Sequence, residues 1–137
     1  MVEKKDIAHI KEKTILGLVE QVKLIGQTGE VETSALMDTG ATRTSVDFSL
    51  AAKVGLGPII KVRKIKKAEG SMRRVVVKGI IEIKGNKHEC EITLADRKYM
   101  NQKILVGREI IHKDYLVDVE KSHKSHLMQD ERKKDKY

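Results

Sequence analysis

The residues of this 137-residue chain best suited to chemistry are Asp38-Thr39-Gly40-Ala41, where a carboxylate follows a run of apolar residues. A carboxylate so placed can move a proton to or from a reacting group. The tripeptide alone is weak evidence, because Asp, then Thr or Ser, then Gly arises by accident in about 5–10% of chains this long, mostly in ordinary turns. Its context strengthens it. Apolar residues deliver the aspartate, small Ala41 follows, and Ile104-Leu-Val-Gly-Arg108 later repeats the pattern of an apolar strand running into glycine.

Other candidate chemistry is thinner. His88, Glu89 and Cys90 are consecutive, so on a strand they alternate between faces and cannot converge on one metal. His123 and His126 have helical spacing but sit in a polar tail, where a solvated pair is the simpler reading. The chain contains neither His-Glu-x-x-His nor Gly-x-x-x-x-Gly-Lys-Ser/Thr, so no metal, nucleotide or other cofactor is expected. Cys90 reads as a small core residue.

Charge supplies the remaining feature. Lys61, Arg63, Lys64, Lys66, Lys67, Arg73, Arg74 and Lys78 stand against Glu69 alone, a local excess of +7 within a chain total of +8. The plain reading is a solvated hairpin whose charges guard a strand edge. The sharper one is a surface for a polyanion. Only four aromatic residues are present, Phe48, Tyr99, Tyr115 and Tyr137, which is few for base stacking.

The elements that must position these residues are mostly strands. Thr14 to Ile25 reads as a strand entering the Gly26–Gly29 turn, and Val31 to Met37 as a second strand ending at Asp38. From Asp47 a short helix is expected, capped by Asp47 or Ser49 and stopped by a left-handed Gly55. Ile59 to Lys67 and Met72 to Lys84 would form the basic hairpin. Lys87 to Leu94 alternates, with His88, Cys90, Ile92 and Leu94 on one face. Lys103 to Val106 and Tyr115 to Val119 complete the strands, with one helical turn at Gly107 to Ile111 between them. Residues 1–13 form a charged lead-in and 121–137 a polar tail read as disordered. The length fits a single all-β domain with one or two short helices. No apolar run nears membrane-span length, no secretory leader is legible, and a single cysteine forbids an internal disulfide, so a reducing, cytoplasmic setting is expected.

Two stretches together resemble the retropepsin-like aspartic peptidases. Ala35-Leu-Met-Asp-Thr-Gly-Ala-Thr-Arg-Thr-Ser-Val, followed by Ser49-Leu-Ala-Ala-Lys-Val-Gly-Leu56, is similar to cellular retropepsins. Arg73-Arg-Val-Val, Ile92-Thr-Leu-Ala-Asp-Arg97, Ile104-Leu-Val-Gly-Arg108 and Tyr115-Leu-Val-Asp-Val-Glu-Lys-Ser122 are similar to the RimB-type branch, often labelled "ATP-dependent zinc proteases". The resemblance implies a single-lobe closed barrel of the acid-protease fold over 14–120, with Asp38 as catalytic residue. It also implies a homodimer, because one lobe holds one Asp-Thr-Gly and the second carboxylate must come from another copy across a two-fold axis. Two carboxylates that close share a proton, so one can accept a proton from water while the other protonates the substrate carbonyl.

By the same resemblance Thr39 bonds across the axis, Gly40 permits close backbone approach, Ala41 keeps the neighbouring space small, and Arg108 supports the loop from behind. In viral relatives an acidic residue after the motif pairs with the arginine, whereas here Thr42 and Arg43 follow. The hairpin takes the place of the flap, with Glu69, Gly70, Ser71, Arg73 and Arg74 as candidates for substrate contact. RimB-type proteins are associated with trimming glutamate tails from a ribosomal protein, and a basic flap suits an acidic peptide substrate. The competing expectation is a non-catalytic module that docks RNA or an acidic protein through residues 61–78; nucleic acid is the less favoured partner, and no membrane partner is expected.

Overall fold

In a computed structural model, residues 2–121 are described, so His123, His126 and nearly all of the tail lie outside the described residues. The elements run α1 (Lys4–Lys11), β1 (Thr14–Gly17), β2 (Val19–Ile25), β3 (Glu30–Met37), β4 (Thr44–Asp47), α2 (Phe48–Val54), β5 (Ile59–Lys67), β6 (Gly70–Ile83), β7 (Asn86–Ala95), β8 (Ile104–Val106), α3 (Arg108–Asp114) and β9 (Tyr115–Asp118). No helix among these residues is long and apolar enough to cross a membrane.

Seven strands hydrogen-bond in the order β2-β3-β8-β4-β7-β6-β5, and a further pairing of β2 with β6 closes the first six into a barrel. Strand β5 hangs outside the ring on β6. The core follows from the inward residues of these strands: Leu24, Ala35, Val46, Ile81, Ile83, Ile92, Ile104 and Val106 are fully removed from water. Each Val, Leu or Ile side chain so buried contributes about 1.5–3 kcal/mol relative to exposure. The short strand β8 sits deepest, parallel to β3 and antiparallel to β4. It therefore brings Gly107 and Arg108 to the end of β3, where Asp38 emerges.

The Thr14 to Ile25 stretch is two strands rather than one. Glu20 turns back to accept a hydrogen bond from the Gly17 amide at 2.6 Å, which breaks the run at Leu18. Strand β1 then leaves the barrel and pairs in parallel with β9, Thr14 opposite Tyr115 and Gly17 opposite Asp118. Helix α1, which the charged lead-in did not announce, has no buried residue. With α2 and α3 it makes three short helices among the described residues, where one or two were expected.

Helix α2 forms as its ends dictate. Asp47 is the N-cap and accepts from the Ser49 amide, and Gly55 closes the helix at φ 68, a conformation that glycine adopts without strain. Strand β4 gave no sequence signal; its four residues are ordered by parallel pairing to β7 on one side and antiparallel pairing to β8 on the other.

Candidate active site

Asp38 stands at the end of β3, half-buried, with its amide bonded to the Val106 carbonyl at 2.9 Å. The Gly40 amide donates to Asp38 Oδ1 at 2.9 Å, and the Ala41 amide to the Asp38 carbonyl at 3.2 Å. The chain thus coils tightly around the carboxylate. A Cβ on Gly40 would lie 3.2 Å from Asp38 Oδ1, so a side chain there would crowd that oxygen.

The start of α3 is stitched to this loop. The Arg108 amide donates to the Ala41 carbonyl at 2.7 Å and the Glu109 amide to the Thr42 carbonyl at 3.2 Å. The Arg108 guanidinium donates through Nη1 to the Thr39 carbonyl at 3.0 Å and through Nη2 to Thr42 Oγ1 at 2.9 Å. Arg108 thus rests on neutral acceptors. The ion pair lies one residue over: Arg43 Nη1 meets Glu109 Oε2 at 3.3 Å, while Glu109 Oε1 accepts from the Thr44 amide at 3.1 Å. Gly107 is buried against the Arg43 backbone, which any Cβ would overlap.

Beside the loop runs a second support, of which the sequence disclosed only the Asp47 cap. Asp47, 2% exposed, accepts from the Ser49 amide and hydroxyl through Oδ2 and from the Arg97 amide through Oδ1 at 2.6 Å. The Ser49 hydroxyl bond above all, with the amide bonds and the Lys103 charge, holds its carboxyl below the usual value against burial. Lys103 Nζ donates to the Arg97, Lys98 and Met100 carbonyls. The loop between β7 and β8 is thereby fixed, and Arg97 donates through Nε and Nη2 to the Gln102 carbonyl at 3.2 and 3.1 Å. Burial lowers the Arg97 guanidinium against the attraction of the Asp38 and Asp47 carboxylates.

Between the Asp38 loop, the hairpin and this fixed loop lies a cavity of about 460 Å³, lined among others by Ala41, Arg43, Arg63, Arg74, Arg97 and Met100. Cross-strand pairing decides which hairpin residues reach it. Arg63 opposes Arg74 and Ile65 opposes Met72 on the cavity side, whereas Lys64 opposes Arg73 and Lys66 opposes Ser71 on the other. Of the hairpin candidates, Arg74 lines the cavity; Glu69, Gly70, Ser71 and Arg73 do not. Arg43, Arg63 and Arg97 were not singled out for this place. A smaller hollow of about 260 Å³ holds Asp38 and Thr39 against Leu18, Leu36, Val117 and Val119.

The other groups considered from sequence lie apart. His88 Nε2 and the Tyr115 hydroxyl are hydrogen-bonded beside Asp114, and burial lowers His88 while Asp114 raises it. Burial pushes the Cys90 thiol up to about 12, with Glu109 and Glu89 adding to the shift. Among the described residues no three His, Cys, Asp or Glu side chains converge as a metal site.

A family model described as RimB-like, "Retropepsin-like aspartic endopeptidase RimB", matches residues 46–126. The matched stretch begins after Asp38. No curated protein matches the chain significantly. Among solved structures, a Legionella pneumophila protein of unknown function is 23% identical over 77% of this chain and 92% of its own, with a TM-score of 0.54. The EIAV protease complexed with the inhibitor HBY-793 is 18% identical over 69% of this chain and 84% of its own, also with a TM-score of 0.54. These likenesses concern the fold, an all-β retropepsin-like barrel.

Proposed function

The chain belongs to the RimB-like family of retropepsin-like aspartic endopeptidases, and from that premise we propose that it hydrolyses peptide bonds through Asp38 paired with the Asp38 of a second copy. The observation that carries this reading is the way the half-buried Asp38 is held. Its oxygen accepts from the Gly40 amide, and Arg108 clamps the backbone of Thr39 and the hydroxyl of Thr42 on the next turn of the loop. A dyad needs such restraint, because two carboxylates share a proton only when they are kept within hydrogen-bonding reach.

In the dimer the ionised Asp38 takes a proton from water as the water oxygen attacks the peptide carbonyl carbon. The protonated partner gives its proton to the carbonyl oxygen. The tetrahedral diol then collapses: one diol hydroxyl gives its proton to the ionised carboxylate as C=O re-forms, and the C–N bond breaks. The leaving nitrogen takes the proton held by the other carboxyl, and the dyad is left with one shared proton. Ala41 and Gly40 leave space for substrate backbone beside the dyad, and Thr39 faces the two-fold axis. The chain requires no cofactor for these steps. The +7 of the hairpin favours acidic peptides, glutamate-rich ones included, bound as an added strand.

Mass spectrometry of peptide mixtures, half of them carrying oligoglutamate tails, tests the reading with wild type and Asp38→Asn between weakly acidic and neutral pH. Wild type is expected to cut and the variant to lose at least about a thousandfold in rate, since one carbonyl-amide replaces each ionisable oxygen pair. If neither protein cuts at concentrations where the dimer is demonstrably formed, the peptidase assignment fails, and a docking module for RNA or an acidic protein becomes the better account.

A further inference from the structure

We infer that Glu109 is a positioning residue for Asp38, acting through the backbone of the loop between β3 and β4 and not through contact with substrate. The inference rests on the peptidase reading for its effect on rate, but not for its effect on the order of the loop.

The loop leaves β3 at Met37 and enters β4 at Thr44, and both of its ends are fastened to one stretch of chain. At the entry the Asp38 amide donates to the Val106 carbonyl at 2.9 Å. At the exit the Thr44 amide donates to Glu109 Oε1 at 3.1 Å, and Thr44 Oγ1 accepts from the Gly107 amide at 3.1 Å. Val106, Ile110 and Ile111 are buried, so this stretch is itself held by the core. Between the two anchors lies the bond from the Gly40 amide to Asp38 Oδ1 that orients the carboxylate. Slack admitted at Thr44 therefore passes to Asp38.

The Glu109 side chain supplies the part of the exit anchor that another residue would not. Its main-chain amide reaches the Thr42 carbonyl whatever the side chain. Thr44, by contrast, is fully buried, and its amide has no water to turn to once the carboxylate is gone. The second carboxylate oxygen meets Arg43 Nη1 at 3.3 Å, but the Arg43 side chain is 47% exposed, and an ion pair so open to water restrains little. The restraint lies in the bond to the Thr44 amide. An acid in the first turn of α3 is also favoured by the helix dipole. That preference would be met with the carboxylate in solvent, whereas the Glu109 side chain is 23% exposed and turned back onto the loop.

The two kinetic constants should respond differently. A pair of carboxylates shares a proton only within hydrogen-bonding reach, and the attacking water must lie in line with the carbonyl, so the chemical step tolerates little displacement. Peptide binding draws on contacts spread along the cleft and tolerates more. Loosening the loop should lower kcat and leave KM nearly in place.

The test compares wild type, Glu109→Ala, Glu109→Gln and Ile83→Val on a peptide that wild type cuts, at concentrations where sedimentation shows each to be dimeric. Glu109→Gln drops the charge but keeps a side-chain oxygen for the Thr44 amide. Ile83→Val destabilises the core away from the loop. Glu109→Ala is expected to lower kcat at least about tenfold with KM changed by less than about threefold. Glu109→Gln restores kcat to within about threefold of wild type, and Ile83→Val melts earlier with kcat unchanged. Equal loss in the Ala and Gln variants, a change in KM alone, or full activity in Glu109→Ala overturns the inference.

Amide hydrogen exchange in the same proteins needs no turnover. In Glu109→Ala the Gly40 and Ala41 amides are expected to exchange at least about tenfold faster than in wild type, while Ile81 to Ile83 keep their protection. If that pattern appears and wild type cuts nothing, the anchoring of Asp38 by Glu109 stands and the peptidase assignment falls. Unchanged exchange at Gly40 and Ala41 overturns the anchoring, whatever the activity. Thermal melting of each variant shows that the comparison is made on folded protein.

Discussion

Asp47 concentrates more structural consequence than any other side chain near the site. One carboxylate ends β4, caps α2 and holds the Arg97 amide at 2.6 Å. Loss of a cap costs about 0.5–2 kcal/mol, and leaving a buried amide unsatisfied costs about 1–3 kcal/mol more. Asp47→Ala should therefore lower stability by about 2–4 kcal/mol, read from the urea midpoint. The pH dependence follows from the sign of its shift. Its folded value lies below that of an ordinary aspartate, so the unfolded chain binds the proton more readily. The stabilisation is complete above the unfolded value and is lost as pH falls through the folded one. Asp47→Asn should accordingly flatten the acid limb of the stability curve below about pH 4, and an acid limb as steep as that of wild type would remove Asp47 from this role.

At the scale of elements, the hairpin is two structures in one. From Val76 onward β6 is paired to β7, with β5 on its other side as far as Val77 and β2 there from Ile80 to Glu82, whereas from Gly70 to Val75 it has β5 alone. A two-stranded ribbon is marginal by itself. Amide hydrogen exchange should therefore be faster at Val62 to Val75 than at Ile80 to Ile83 by at least about tenfold, and equal protection would mean that the ribbon is held by something other than its own ladder. This division also marks where the sequence is legible. Helix α2 could be located because Asp47 and Gly55 act within a few residues of it, and β7 because its alternation is local. Strand β4 could not, because Thr44 to Asp47 carries little apolar pattern and is ordered by β7 and β8. The Asp38 loop was legible as a candidate through its local motif. The arginine cavity escaped because Arg43, Arg63, Arg74 and Arg97 meet only once the barrel has closed, and because a run of charge does not disclose which of its members share a face.

For the whole molecule the decisive fact is that one chain brings one Asp38 to its surface, and the terminal ribbon of β1 and β9 lies next to it. Glu20 fastens that ribbon to the barrel, accepting from the Gly17 amide and pairing with Lys84 at 3.4 Å and Lys121 at 3.8 Å, while Lys121 also donates to the Ile15 carbonyl. Leu18, Leu36, Val117 and Val119 then form an apolar rim around Asp38 and Thr39, with Val119 58% exposed. On the proposed reading, apolar surface beside the lone Asp38 carboxylate is what a second copy would cover, and burying a new charge there opposes its approach. Val119→Asp should therefore weaken dimerisation by at least about tenfold, equivalent to about 1.4 kcal/mol, in sedimentation equilibrium. Peptidase activity should fall at low protein concentration and recover as concentration rises. Asp38→Asn, by contrast, stays inactive at every concentration. A Val119→Asp protein that dimerises and cuts like wild type would move the two-fold contact away from this rim, and with it the route by which the second Asp38 reaches the first.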